Sequence, residues 1–416
     1  MKKNNNQYLQ TINRPALPHQ KQNLPTISIF SGILGLEIGL ERLGFKTRYA
    51  LDFDKHCKDA VENNRKDFGD FPYLSEDINK ITAEDILKVS GLEPGETVIL
   101  AGGPPCQPFS KSGLRKGIGD ERGLLFKRYL DYLKVIKPKT FILENVRGLF
   151  SSNGGQDFKN IIEHFEETGY TIYWKILDAA NYGVPQFRQR LFIIGFRDRI
   201  KFDFPKETHG DPTLISSTLF PDLKPYSTVH DAIGDLEGKV ETRILTGKYA
   251  HLLSDIPEGS NYSFYTSERG HPNPLFGWRT KFWYFLLKTD RTKPSLTIQA
   301  YPGNNTGPFH WENRRMAIEE IRRIQSFPDW LKIQKPYMVA HRLIGNAIPP
   351  LLAEAIGKSI LEALNRSEKI SEEEYRQIRN DHDGKNGIVK SGRGSGKGRS
   401  KVASKTKTYE APAKIA

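Results

Sequence analysis

The stretch PTISIF (25–30), SGILG (31–35), LEIGLERLG (36–44) and TRYALD (47–52) constrains this chain more than any other. It reads as a β-prone run, a glycine-containing turn, an apolar-periodic helix closed by Gly44, and a second strand ending in Asp52. That order opens a βαβ unit of the nucleotide-binding kind. Gly32 and Gly35 let backbone approach a ligand closely, and the helix starting near Leu36 aims its free amides at the same place. Asp52 follows Gly32 by 20 residues, close to the spacing at which an acid receives ribose hydroxyls. Position 34 is Leu, so the phosphate-binding G-x-G-x-x-G pattern is missing, which disfavours a nicotinamide oxidoreductase. An α/β turn with no ligand has the same outline.

The alternation continues. SEDINKI (75–81) places Asp77 after a strand end, and TVILAGG (97–103) is a buried-type strand running into PPCQPFSKSG. A helix is expected at about 121–137, then the apolar strand TFILENV (140–146) ending in Glu144 and Asn145, then a helix over 156–168. TIYWKILDAA and RLFIIGFR read as a strand pair around NYGVPQFRQ. Strand–helix alternation predicts a parallel sheet with its chemistry at the carboxyl ends of the strands. Phe30, Asp52, Asp77, Cys106 and Glu144 all fall there.

Composition narrows the setting. Cys57 and Cys106 are the only cysteines in 416 residues, which excludes a disulfide framework and a cysteine-rich zinc site and favours a reducing compartment. No metal is expected. No apolar run approaches the ~20 residues of a membrane span, and MKKNNNQYLQTINRPALPHQ lacks the apolar core of a secretory signal. The net charge of +13 suggests a polyanionic partner. From Gly384 onward, however, nine Lys/Arg and one acid account for +8 of it. That Gly/Ser/Lys-rich tail is expected to be disordered, as a solubilising terminus or as a phosphate-binding arm.

Cys106 follows two prolines on a loop directly after a strand, a setting suited to a nucleophile, whereas Cys57 on an amphipathic stretch reads as a small buried hydrophobe. Glu144 ends an apolar strand, where a carboxylate must be paired, protonated or used as a cap. If the two strands are neighbours, thiol and carboxyl converge. Arg188 and Arg190 stand at alternate positions of an extended segment, each able to orient a carboxylate or donate to a carbonyl.

These residues carry a resemblance. ISIFSGILGLEIGL, GGPPCQPFSKSG, LENVRGL, QFRQR, RRMAIEEIRRIQSFPD and HRLIGNAIPP stand in the order of the motifs of the DNA cytosine-5 methyltransferases, in particular the bacterial type that partners restriction enzymes. The match covers roughly residues 26–200 and 291–362, with Leu34 where glycine is commoner and Asp52 where glutamate is frequent. The resemblance implies an α/β enzyme: a mostly parallel, Rossmann-like methyltransferase sheet with a smaller, irregular target-recognition domain.

The implied division is a loose arm at 1–25, a catalytic domain at 26–198, target recognition at 199–320, a completing segment at 321–365 and a disordered basic tail at 366–416. Cys106 is implied as nucleophile, with Glu144 holding the base, Arg190 on its carbonyl and Arg188 in support. S-adenosyl-L-methionine is the implied cofactor, on Phe30, Gly32, Gly35, Asp52, Phe53, Asp77, Ile78 and Asn346. Arg269, His271, Arg279 and Lys281 are candidate DNA contacts. The implied substrate is double-stranded DNA with its target base flipped out. The enzyme is expected to be a cytoplasmic, bacterial, DNA-associated monomer, with any cognate restriction endonuclease acting separately. A transfer-RNA cytosine methyltransferase shares these motifs but typically carries a later Cys-Phe-Thr signature, and this chain has no cysteine after Cys106. A non-catalytic binding protein is disfavoured because Cys106 and Glu144 are both present.

Overall fold

A computed structural model describes residues 6–15, 24–105, 121–215, 222–241, 243–279 and 282–385. Its centre is a sheet of seven strands. In chain order the strands are β1 (Leu24–Ile29), β2 (Phe45–Asp52), β3 (Tyr73–Ser75), β4 (Ile99–Gly102), β5 (Thr140–Val146), β6 (Thr171–Asp178), β7 (Gln186–Phe187) and β8 (Gln189–Phe196). The sheet order is β3-β2-β1-β4-β5-β8-β6, and β7 pairs outside it with Ser295–Leu296. Every neighbouring pair is parallel except those made by β8, which runs antiparallel to β5 and to β6. The sequence expectation of a β6–β8 pair is met. β1 and β4 are buried almost throughout, as central strands covered on both faces must be.

One face packs on helices Gly35–Glu41 and Pro350–Arg366, so a segment more than 300 residues later completes the layer. Helices Ala83–Ser90, Glu121–Ile136 and Gln156–Glu166 cover the other face. The chain runs from β1 outward to β3, then returns to β4. The crevice between the ends of β1 and β4 is therefore the topological switch point, where open α/β sheets bind ligands.

Three expectations about the periphery need correcting. Residues 7–12 are not a loose arm: they form a helix whose Tyr8 hydroxyl donates to the Arg323 carbonyl, because Tyr8 and Ile12 bury an apolar face on the core. Residues 372–385 are a helix rather than tail, and only residues beyond 385 lie outside the described part of this segment. On that helix Tyr375 takes the backbone N–H of Ile172 (2.9 Å) and donates to Glu166 (2.7 Å), while Arg379 lies over the Trp174 ring at 4.9 Å. The interval expected to stand apart from 199 onward also contributes to the main core. Ile200, Phe202, Val229, Ala232 and Ile233 belong to the main core. A separate cluster gathers Leu245, Leu252, Leu253, Ile256, Tyr262, Tyr265, Leu286 and Phe309.

Candidate active site

β4 and β5 are parallel neighbours, so the loop after β4 and the end of β5 meet. Asn145 fastens them by donating to the Pro104 carbonyl at 3.0 Å. A methyl group built on Gly103 would come within 3.0 Å of a Glu144 carboxylate oxygen, so this loop runs directly beside that carboxyl. Cys106, the next residue but one after Pro104, lies outside the described residues.

Glu144 pairs with Arg190 Nε at 2.9 Å, across the β5–β8 ladder. Burial raises the Glu144 carboxyl above its ordinary pKa, against the opposing pull of Arg190 and Arg188. The result is a carboxyl held toward its protonated form yet oriented by a guanidinium, which suits it to share a proton with a ring nitrogen.

The two arginines part company. Arg190 stays with Glu144. Arg188 is 1% exposed, and its guanidinium donates to the carbonyls of Gly345 (2.8 Å), Ala347 (3.1 Å) and Ile298 (3.3 Å). The expectation that alternate positions put both on one side is corrected: the break between β7 and β8 sends Arg188 into the protein, onto backbone acceptors.

At the ends of β1 and β2 the backbone bends sharply. Phe30, Gly32 and Leu34 all have left-handed φ, at 55°, 55° and 63°. For Phe30 and Leu34 such geometry costs on the order of 1–3 kcal/mol, a strain found at ligand clamps. Complete burial of the Leu34 side chain offsets it, which is how leucine stands where glycine is the easier choice. Asp52 holds the loop by accepting from the backbone N–H of Gly32 (2.8 Å) and Asp54 (2.8 Å), and burial raises its pKa. A Cβ on Gly32 would meet nothing within 4 Å, so open space lies beside it. Phe53 is 78% exposed. Asp77 caps the turn Ile78–Lys80 through Asn79 N–H at 2.9 Å.

Two residues expected to touch cofactor also serve the packing. A Cβ on Gly35 would strike the Ile348 carbonyl at 2.1 Å, so its small size admits the C-terminal segment. Ile78 is buried in the core with Leu51 and Ile86. Two residues before Ile348, Asn346 is exposed at the end of helix Tyr337–Asn346, and Arg342 on the same helix pairs with Asp54. Sequence reasoning missed Tyr73, which donates to the Gly32 carbonyl at 2.6 Å. It also missed Tyr284, which hydrogen-bonds Thr297 and lies within the field of Arg188 and Arg190. Neither stands in a recognisable pattern.

In the later cluster Arg269 lies over the Trp278 ring and Arg279 over Phe282, both at 5.7 Å, with Trp283 and Leu275 also exposed. His271 is held internally between Phe264 (5.2 Å) and Tyr265 (4.8 Å), so it is a packing residue more than a free donor. Lys281 lies outside the described residues.

A doubly wound sheet carrying one antiparallel strand, with glycine-turn and acid at the switch point, defines a Rossmann-like methyltransferase. A solved methyltransferase encoded within an E. coli prophage shares this fold, with a TM-score of 0.59 at 24% identity, over 82% of this chain and all of that one. The family model described as C-5 cytosine-specific DNA methylase matches residues 24–362, and the chain belongs to that family as a DNA cytosine-5 methyltransferase. Among its relatives, the Type II methyltransferase M.SacI of Streptomyces achromogenes is 34% identical over 82% of this chain and 93% of its own length. The Type II methyltransferase M.NgoFVII of Neisseria gonorrhoeae is also 34% identical, over 85% and 93%.

Proposed function

We propose that this enzyme methylates carbon 5 of one cytosine within a specific double-stranded DNA sequence, with S-adenosyl-L-methionine as donor, through a covalent adduct to Cys106. We further propose that it protects host DNA alongside a separate restriction endonuclease, as its Type II relatives' names suggest. The observation that carries the chemistry is the Glu144–Arg190 pair set beside the loop that leads into Cys106.

Carbon 5 of cytosine is a poor nucleophile. Addition of the Cys106 thiolate to carbon 6 moves electron density onto carbon 5, which then takes the methyl group. Glu144 holds a proton at ring nitrogen 3 and accepts from the exocyclic amine, and Arg190 donates to the base carbonyl. Loss of the carbon 5 proton then expels Cys106 and restores the ring. Arg188 acts through the backbone it holds. The base must leave the duplex to reach a carboxyl set at the end of a central strand within the crevice.

The loops at the ends of β1 to β3 fit the cofactor. The space beside Gly32 is open, the Phe53 ring is exposed, and the Asp52 and Asp77 carboxylates stand at strand ends. Bound there, the cofactor supplies an electrophilic methyl group. Asp52 would receive the ribose, Phe53 would stack on adenine, Phe30 and Gly32 would shape the wall, and Asn346 would close it. Arg269 and Arg279, backed by Trp278 and Phe282, would meet DNA. Among the described residues no helix is long and apolar enough to cross a membrane.

DNA carrying 5-fluorocytosine tests the covalent step, because fluorine cannot leave as a proton does. A denaturant-stable complex that requires cofactor and Cys106 is expected. An enzyme active on ordinary DNA that forms no such complex would rule out addition at carbon 6.

A further inference from the structure

The two sides of the crevice come from distant parts of the chain, and one buried network joins them. Gln186 and Gln325 are each 0% exposed, and the Gln186 amide donates to Oε1 of Gln325. Gln325 Nε2 donates onward to the carbonyls of Ala347 (2.8 Å) and Ile344 (3.1 Å). Arg188 donates to the same Ala347 carbonyl, to Gly345 and to Ile298. The Ile298 N–H returns to Gln186 Oε1 at 3.1 Å, which closes a ring of bonds.

The residues whose carbonyls are held, Ile344, Gly345 and Ala347, bracket Asn346 on the cofactor side. Gln186 and Arg188 lie on the segment that runs into Arg190, on the base side. Neither glutamine has surface from which to touch a ligand. A buried amide destabilises the fold when its partners are lost, and an apolar side chain fills such space without that liability. What an amide adds is direction, since each donor and acceptor fixes one backbone segment against another.

We propose that Gln325 and Gln186, together with Arg188, are positioning residues that set the separation between the cofactor side and the base side of the crevice. The proposal rests on the assignment of Asn346 to the cofactor and Arg190 to the base. The methyl donor and carbon 5 must meet in line, and a displacement of about 1 Å can cost on the order of a hundredfold in rate.

The test uses the full chain, labelled S-adenosylmethionine and unmethylated plasmid DNA. Gln325→Leu, Gln186→Leu and the double variant are compared for melting temperature, cofactor KM, kcat and DNA affinity. Gln325→Leu is expected to lower kcat and raise cofactor KM, each by about tenfold or more, while DNA affinity holds. The double variant loses the Gln186–Gln325 bond only once, so its melting temperature falls by less than the two single losses added together, while kcat and KM stay impaired. Where a leucine variant does not fold, Gln325→Asn keeps the amide with a shorter reach and is expected to show the same kinetic losses. Recovery of activity together with stability, or wild-type kinetics in either single variant, would overturn the proposal. Asn346→Ala separates the two readings. An unchanged cofactor KM there means that the assignment of Asn346 has failed. A raised KM there, with normal kinetics in the glutamine variants, means that the tie has failed.

Discussion

The crevice around Glu144 and the aromatic surface around Trp278 are built on opposite plans. In the crevice, functional side chains sit on strands whose neighbours are fixed by backbone ladders, and their partners come from residues 40 to 300 positions away. At the aromatic surface, the cations rest on rings three to nine residues away, over a small core joined by turns and short 3₁₀ segments. The first plan tolerates little change because each part holds another. The second leaves side chains free to vary without disturbing the sheet, as the proposed readout of DNA sequence by this surface requires.

The largest expected effect lies in the crevice. Cys106→Ser should lose methyl transfer from labelled cofactor altogether while DNA binding persists, since a hydroxyl is barely ionised near neutral pH. Turnover near the wild-type rate would remove Cys106 from the chemistry. Next, Glu144→Gln should lower kcat by about 10²–10⁴-fold. Burial raises this carboxyl's pKa, so the protonated form survives to higher pH than in a free glutamate. Activity that depends on that proton is present below the raised pKa and declines as pH rises through it. A pH–rate profile of the glutamine variant should lack that alkaline limb, and persistence of the limb would assign it to another group.

At the aromatic surface the effects are smaller and of another kind. Arg279→Ala should leave kcat on saturating DNA near wild type. If Arg279 reads a base edge, discrimination at one position of the site should fall by about 1–3 kcal/mol, visible by bisulfite sequencing as relaxed specificity. Uniformly weaker binding on all sequences would mark it as a phosphate contact. Smallest of all, removal of residues 386–416 deletes eight basic residues and one acid. Binding to every DNA should weaken alike and its salt dependence should flatten, with the same cytosines modified. A changed site after truncation would break the division between readout and tail.

The catalytic half is the more legible region, for the same reason. β5 is found at 140–146 as its apolar run and terminal acid indicate, and β1, β2 and β4 lie within two residues of their expected limits. Strand periodicity is local, so the sequence carries it. Cross-chain partners are not local. The segments QFRQR and RRIQSFPD contain Gln186 and Gln325, but nothing in either tells that two amides 139 positions apart bond to one another. The inward turn of Arg188 and the use of Gly35 by Ile348 are hidden from the sequence in the same way. The helix Glu372–Lys385 is masked by its strongly polar composition, which reads as tail until Tyr375 and Arg379 are seen to dock.

That docking has a consequence outside catalysis. β6 is the last strand of the sheet and spans eight residues, with its first four buried. A bare outer strand of this length offers unpaired amides and carbonyls to any passing chain, and so templates aggregation. Tyr375 occupies one of those amides, and the ring contacts of Arg379 and Tyr375 with Trp174 and Tyr173 shield the strand on that side. The family match stops at residue 362, yet the next two dozen residues act as a cover that keeps molecules from adding to one another through the sheet. An enzyme shortened to the matched region would keep every residue of the crevice and be at risk of leaving solution.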